Sequence, residues 1–392
     1  MDVAIIADDL TGAADTGMQF ARAGYRTAVA FRGAEMSFGD LDAVSLDTDS
    51  RTMPPGPAAR RVSKAVRTVR DASILYKKID STLRGNVAAE LAAALEASGR
   101  EHAVVAPAFP DAGRTTIGGV QLVGGVPVHE TAMRDDPKTP VIEGHVPTLL
   151  SGAFSVGVLG WENLQGLGSD IRVLSGSRCV VADARSNADL DALARAVLDP
   201  SEVLWAGSAG LALALSRRYP GPRAGETPAA LAPARNVLVI IGSLNSSSRE
   251  QSRQLVEKHG AVAIPVAGRR SVKRAVAVAR AALMEGRCAI LHSPEKRRSP
   301  GGGPVVALLA EVAASLSGEG LFDALVMTGG STAVAVARRL GASGIRLDGE
   351  VEAGVPLGTL ISPSPYRVVT KAGGFGNPDT LAHAVQMLAG KE

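Results

Sequence analysis

Cysteine, aromatic residues and long apolar runs are scarce in this chain, and each scarcity removes a class of function. Only two cysteines occur among 392 residues. Cys179 and Cys288 lie far apart without CxxC spacing, so neither a disulfide framework nor a zinc site is implied. Aromatics make up 3% and the net charge is +3. No basic block with interleaved aromatics is present, so nucleic acid is not expected as a partner. The basic run at residues 296–299 reads as a solvated loop. No apolar stretch approaches the roughly 20 residues that span a bilayer, and Met1-Asp2 is not followed by a basic leader. The plain expectation is a cytoplasmic protein with no membrane contact. The six histidines show no ligand spacing, and H-E-x-x-H, the P-loop pattern and a G-x-G-x-x-G after a strand are all missing.

With 46% apolar and 21% charged residues, the composition is that of a globular chain. Its length suggests two domains or more. Short apolar runs alternate with helix-like stretches. Strands are expected at residues 3–7, 27–31, 43–46, 74–79, 102–106, 154–159, 179–182 and 203–205. Beyond them, further strands are expected at 237–241, 288–291, 321–327 and 367–370. This alternation predicts an α/β protein whose mainly parallel sheets are flanked by helices. Residues 219–235 carry four prolines and no apolar periodicity, which marks a linker. The expected division is an acid-ligand domain at 1–218, the linker at 219–235, and a second domain at 236–392.

The organising stretch is residues 5–17, IIADDLTGAADTG. A buried strand ends on Asp8 and Asp9. Thr11 is then a candidate cap for a helix over residues 12–23, closed by Gly24, with Asp15 in its first turn. Three further polar loops follow strands: Asp47 to Arg51, Asp80 to Asn86, and Asp111 to Arg114. In an open parallel sheet the carboxyl ends of the strands share one edge, where ligands bind. Four such loops together would present carboxylates, hydroxyls and arginines to a small polyhydroxylated anion. The glycine-rich residues 118–127 suggest a hairpin or a cover over that site. Ser186 with Asp189 resembles a capping box. Gly207-Ser208-Ala209-Gly210 has the outline of a nucleophile elbow, but Ala206 stands where that motif needs glycine. Close helix packing is the preferred reading there.

The second half repeats one device three times: strand, glycine- and serine-rich loop, helix. The loops are residues 242–248, 328–332 and 371–376. Small residues let backbone N–H groups approach a ligand, and helix starts favour negative charge, so phosphate or nucleotide is the expected ligand. Lys371 adds a positive charge. Residues 299–304, SPGGGP, read as a flexible loop.

Taken in order, ADDLTGAADTG (7–17), KKIDSTLRGN (77–86), PAFPDAGRTT (107–116), GSAGLA (207–212), MTGGSTA (327–333), GEVEAGVPLG (349–358) and TKAGGFG (370–376) resemble the four-carbon acid sugar kinase family. The resemblance runs along nearly the whole chain. It implies a sugar-acid-binding domain followed by an ATP-binding domain, with the active site in a cleft between them. It also implies transfer of phosphate from ATP, with Mg²⁺, to the terminal hydroxyl of threonate, erythronate or 3-oxo-tetronate. By the same resemblance Asp9, Arg51, Ser81, Thr82, Leu83 and Arg84 are substrate contacts. Ser243, Gly329, Gly330, Ser331, Thr332 and Gly374 are nucleotide contacts, with Lys371 and Gly373 beside them. Where the family often has an acid after the Gly-Gly pair, this chain has Ser331. Asp9 and Asp80 are the two candidates for the base that takes the hydroxyl proton. Two other readings stay open: a sugar-acid binder that uses nucleotide only as a regulator, and a hydrolase built on Ser208. A homo-oligomer is compatible with all of these.

Overall fold

The computed structural model describes residues 1–33, 36–164, 176–226, 232–294 and 303–390. The basic run 296–299 and residues 299–302 of the loop expected at 299–304 lie outside the described residues, and Gly303 already begins a helix. The chain forms two compact units, residues 1–32 with 37–226, and residues 227–392 with 33–36.

The first unit opens with β1 (Val3–Ala7), α1 (Leu10–Arg22), β2 (Thr27–Ala30), β3 (Ala43–Asp47), α2 (Pro55–Arg67), β4 (Ile74–Lys78), α3 (Val87–Ser98) and β5 (His102–Ala106). A small antiparallel sheet follows, β6 (Arg114–Ile117), β7 (Val120–Val123) and β8 (Val126–Pro127). The unit closes with α4 (Val146–Leu150), β9 (Val156–Leu159), α5 (Trp161–Leu164), β10 (Cys179–Ala182), α6 (Asn187–Ala196), β11 (Val203–Gly207) and α7 (Ala209–Arg218). Its main sheet has the order β2-β3-β1-β4-β11-β5-β10-β9, and every neighbouring pair is parallel. Strands such as VAIIA and VLWAG are buried along their whole length, as expected where helices cover both faces. Trp205, Tyr76, Phe20 and Leu211 fill the core on one of those faces.

The second unit contains β12 (Val237–Ile241), α8 (Ser246–His259), β13 (Val262–Pro265), α9 (Arg269–Met284), β14 (Ala289–His292), α10 (Gly303–Gly318), β15 (Ala324–Thr328), α11 (Gly330–Arg339), β16 (Gly344–Glu352), β17 (Val355–Ile361), β18 (Arg367–Lys371) and α12 (Thr380–Leu388). Within this unit the order is β13-β14-β12-β15-β18-β17-β16. The first five strands run parallel, and β16 and β17 form an antiparallel hairpin against β18. The α/β expectation is met in both units. Neither β13 nor this hairpin is among the expected strands: β13 is only four residues long, and β16 carries Arg346, Asp348, Gly349 and Glu350 among its apolar residues.

Two local expectations are corrected. The cap of α1 is Asp9, not Thr11: Asp9 has extended backbone (φ −148°) and its side chain accepts the Gly12 N–H. The helix therefore starts at Leu10, and Asp15 falls beyond its first turn. Residues 118–127 do form a hairpin, and Ser186 with Asp189 makes the capping box. The proline-rich segment divides between the units. Gly221 and Arg223 donate backbone N–H groups to Ala23 and Gly24, whereas the Ala234 N–H goes to Leu388 and the Ala232 carbonyl accepts from Arg367.

Candidate functional site

In the first unit three of the four polar loops converge. β1 and β3 are neighbours in register, so Ala7 lies opposite Asp47. Beyond that point the chain turns through Asp49, a non-glycine residue at φ +48°. The Asp47 carboxylate accepts the Asp49 N–H at 2.9 Å and supports this turn. The Ser50 and Arg51 amides then bond to the Asp8 carbonyl, which returns Arg51 to the end of β1. Its Nε and Nη2 donate to Asp8 at 2.7 and 2.8 Å, and its Nη1 and Nη2 donate to Asp9 at 2.6 and 3.0 Å. Four of the five guanidinium N–H groups are thereby used.

The third loop follows β4. Asp80 accepts from Arg84 Nε at 2.7 Å and Nη2 at 3.3 Å, and from the Thr82 hydroxyl. Leu83 sits at φ +59°, so the loop bends tightly enough for Arg84 to fold back on Asp80. Gly85, at φ +95°, lies where a Cβ would be 3.0 Å from Asp8 Oδ2, so a larger residue would press on the cluster. Arg84 keeps 32% of its side chain exposed, against 15% for Arg51. It is the more exposed of the cluster's two arginines, and its Nη1 lies 3.7 Å from the Asp136 carboxylate.

The fourth loop is a correction. Asp111 accepts from Asn187 at 2.7 Å and Arg114 donates to the Ala112 carbonyl, so their charged groups stay out of the cluster. The loop contributes through the hairpin it leads into: Gln121 Nε2 donates to the Ser81 carbonyl at 2.8 Å.

Beneath the cluster lies a layer that the sequence reading missed. Lys77 and Glu90 form an ion pair of 2.9 Å with side chains 1% and 2% exposed. Glu90 also accepts the Ser50 hydroxyl at 2.7 Å, Ser50 Oγ lies 2.7 Å from Thr48 Oγ1, and Thr48 donates to the Ala7 carbonyl at 2.8 Å. Lys78 is buried and donates to the Ile79 carbonyl. The only sequence signal for this layer is a pair of lysines at the end of an apolar strand.

Electrostatics separate the acids. Burial raises the Asp8 carboxyl, but Arg51, Lys77 and Lys78 outweigh it and hold it below the usual range. Burial dominates at Asp9 and, with Asp8 adding to it, keeps this carboxyl above the usual range despite Arg51. Burial, together with Asp9, Asp49 and Asp8, lifts Asp47 to about 7. Burial also opposes ionisation of Asp80, but Arg51 and Arg84 overcome it and drive this group far below the carboxylate range. A proton acceptor works best with a pKa near the operating pH, and on that criterion Asp9 is better suited than Asp80.

Ser208 has a bland role. Its hydroxyl donates to the Ala108 carbonyl at 2.7 Å and accepts the Gly210 N–H at the start of α7. A Cβ on Gly210 would lie 2.6 Å from the Ala108 carbonyl, so this turn serves close helix packing.

In the second unit β12, β15 and β18 are neighbours, and the three glycine loops leave their carboxyl ends side by side. Gly373 packs against Ser243 so closely that a Cβ there would meet Ser243 Oγ at 1.9 Å. Gly374 faces the Asn245 amide, and Asn245 caps α8. Gly329 donates its N–H to the Lys371 carbonyl and caps α11, whose first residues are Gly330, Ser331 and Thr332. Lys371 is 4% exposed, and its Nζ has no hydrogen-bond partner among the described residues. An unpaired buried ammonium beside glycine loops suits a phosphate-bearing ligand.

Burial lowers the Lys371 ammonium to about 8, against about 10.4 in an unfolded chain. Charging this group in the folded protein is therefore costly. Below pH 8 both states are protonated and the folded state carries the full penalty; above about 10.4 the penalty is gone. Without nucleotide, a Lys371→Met variant is expected to be more stable than the parent at pH 7. That advantage should shrink as pH rises through 8. Thermal midpoints of the two proteins at pH 7, 9 and 10.5 check this.

Residues 3–215 match the model of a sugar-binding N-terminal domain, and residues 238–381 match that of a nucleotide-binding C-terminal domain. The D-threonate kinase of Bordetella bronchiseptica is 39% identical over 98% of this chain and 97% of its own length. The chain belongs to the four-carbon acid sugar kinase family. The D-erythronate kinase of Heliobacterium modesticaldum is 32% identical, covering 100% of this chain and 98% of that protein. A Bordetella bronchiseptica relative solved by crystallography as a domain-swapped dimer with bound citrate is 38% identical, with a TM-score of 0.51 over 99% of this chain and 98% of that one. In this kinase no described helix is long and apolar enough to cross a membrane.

Proposed function

We propose that this kinase transfers the γ-phosphoryl group of ATP to the terminal C4 hydroxyl of a tetronate, with D-threonate the first candidate. The observation that carries the proposal is the convergence, in one strand-end cluster, of Asp8, Asp9 and Asp80 on Arg51 and on Arg84, which keeps 32% of its side chain exposed. D-Threonate comes first because the 39%-identical relative is a kinase of that acid.

In this reading Arg84 takes the substrate carboxylate, and Ser81, Thr82 and the backbone of Leu83 meet its hydroxyls. Arg51 is held by Asp8 and orients Asp9. Asp9 takes the proton of the reacting hydroxyl, with Asp80 holding Arg84 in place. In the nucleotide-binding unit Ser243, Gly373 and Gly374 on one side, and Gly329 to Thr332 on the other, hold the phosphates, with Lys371 neutralising charge. ATP supplies the phosphoryl group, and positioning with charge neutralisation is the protein's main task. Mg²⁺ belongs to the proposal as the nucleotide's counterion, bound largely through phosphate oxygens. Residues 219–235 are taken as the boundary between the acid-sugar-binding and nucleotide-binding parts. A homodimer in solution is part of the same reading, on the strength of the swapped dimer of the relative.

ADP release from Mg-ATP, measured against D- and L-threonate, D-erythronate, 3-oxo-tetronates and D-glycerate, tests the proposal. Turnover is expected to be highest with D-threonate. Nucleotide binding with no turnover on any of these acids would favour the regulatory binder instead.

A further inference from the structure

β15 and β18 are parallel neighbours that end in register, with Thr328 opposite Lys371. Register partners on adjacent strands present their side chains to the same face of a sheet. Thr328 is 0% and Lys371 4% exposed. Neither Thr328 Oγ1 nor Lys371 Nζ has a hydrogen-bond partner among the described residues. Buried polar atoms are usually paired; two unpaired ones on register partners at the mouth of two glycine loops point to a polar ligand group.

The surroundings narrow its chemistry. The loop after Thr328 leads into α11, a helix of 10 residues capped by Gly329 without a side-chain hydrogen bond. The first-turn amides of Gly330 and Ser331 have no intrahelical acceptor. Glu352 is the acid felt by Lys371, but its oxygens accept from Thr380 and Asn377. An ammonium, a hydroxyl and two helix-start amides together match a tetrahedral oxyanion.

We infer that Thr328 and Lys371 form a two-point clamp for the terminal phosphate of the bound nucleoside triphosphate. The inference rests on the nucleotide-binding reading above and makes it finer. The clamp lies at the carboxyl ends of β15 and β18, beside the start of α11. Its charge also sits where negative charge must be neutralised during transfer.

Calorimetric titration of the full chain with ATP, ADP and AMP tests it, using the parent, Thr328→Val and Lys371→Met. Thr328→Val keeps the side-chain volume and removes only the hydroxyl, and Lys371→Arg serves as the charge-conserving control. Hydrogen bonds to charged groups predict that each loss weakens ATP binding by roughly 10- to 100-fold. AMP affinity should be unchanged, so the preference for ATP over ADP collapses. Lys371→Arg should retain part of that preference. An ATP-to-ADP preference equal to the parent's in both Thr328→Val and Lys371→Met would overturn the clamp while leaving the nucleotide site standing. A parent chain that binds none of the three nucleotides would overturn the underlying reading, and the clamp with it.

Discussion

Asp9→Asn is expected to lower kcat by roughly 10²- to 10⁴-fold, the range for removal of a general base, with little change in KM for the acid. The substitution is well suited to the question. Asp9 does two jobs: it caps α1 through the Gly12 N–H, and it carries charge beside Arg51. Asparagine caps helices about as well as aspartate, so the fold of the first turn should survive while the basic oxygen is lost. Asp80→Asn should behave differently. Asp80 is engaged by Thr82 and Arg84 and driven far below the carboxylate range, which makes it a poor proton acceptor. Weakening it frees Arg84, so KM for the acid should rise more than kcat falls. Steady-state kinetics of the two variants separate the roles. If Asp80→Asn loses kcat and Asp9→Asn keeps it within about 10-fold, the base is Asp80.

Lys77→Met is expected to destabilise the protein by about 3–5 kcal/mol, because it leaves the Glu90 carboxylate buried without its partner. Both side chains are almost wholly inaccessible, so no solvent can compensate. The double variant Lys77→Met, Glu90→Gln should recover most of that loss. Replacing a whole buried pair is often close to neutral, whereas removing one member is not. Glutamine at 90 can still accept the Ser50 hydroxyl that ties down the loop carrying Arg51. The single variant should therefore also lose affinity for the acid, and the double variant should regain it. Urea unfolding followed by a probe in the first unit, such as the buried Trp205, gives the stabilities. Equal stabilities of the single and double variants would contradict the coupling.

The parts of this site that were legible in the sequence are those written locally. Polar residues at the ends of apolar runs marked the loops at Asp8, Asp47 and Asp80, since strand ends of a parallel sheet share an edge. Glycines after β12, β15 and β18 marked the second unit's loops in the same way. What stayed hidden depends on contacts distant in sequence. Glu90 lies in an alanine-rich helix with no local signal of its role, and only the packing of α3 sets it beside Lys77. Gln121 gives no signal at all, because its partner, the Ser81 carbonyl, is 40 residues away. The choice of Thr11 over Asp9 as the cap failed for a different reason. Both residue types cap helices, and only the extended backbone at Asp9 decides between them. Asp111 and Arg114 look like the other strand-end loops, but the tight turn before β6 spends them on Asn187 and on their own backbone.

The most direct test of the central claim is the phosphorus NMR spectrum of the product formed from Mg-ATP and D-threonate. The account predicts a new phosphate monoester resonance, split by two protons because the phosphate is carried on the C4 methylene. A resonance split by a single proton would place the phosphate on a secondary hydroxyl and contradict the assignment of the reacting group. Inorganic phosphate alone, with no ester, would contradict phosphoryl transfer to this acid.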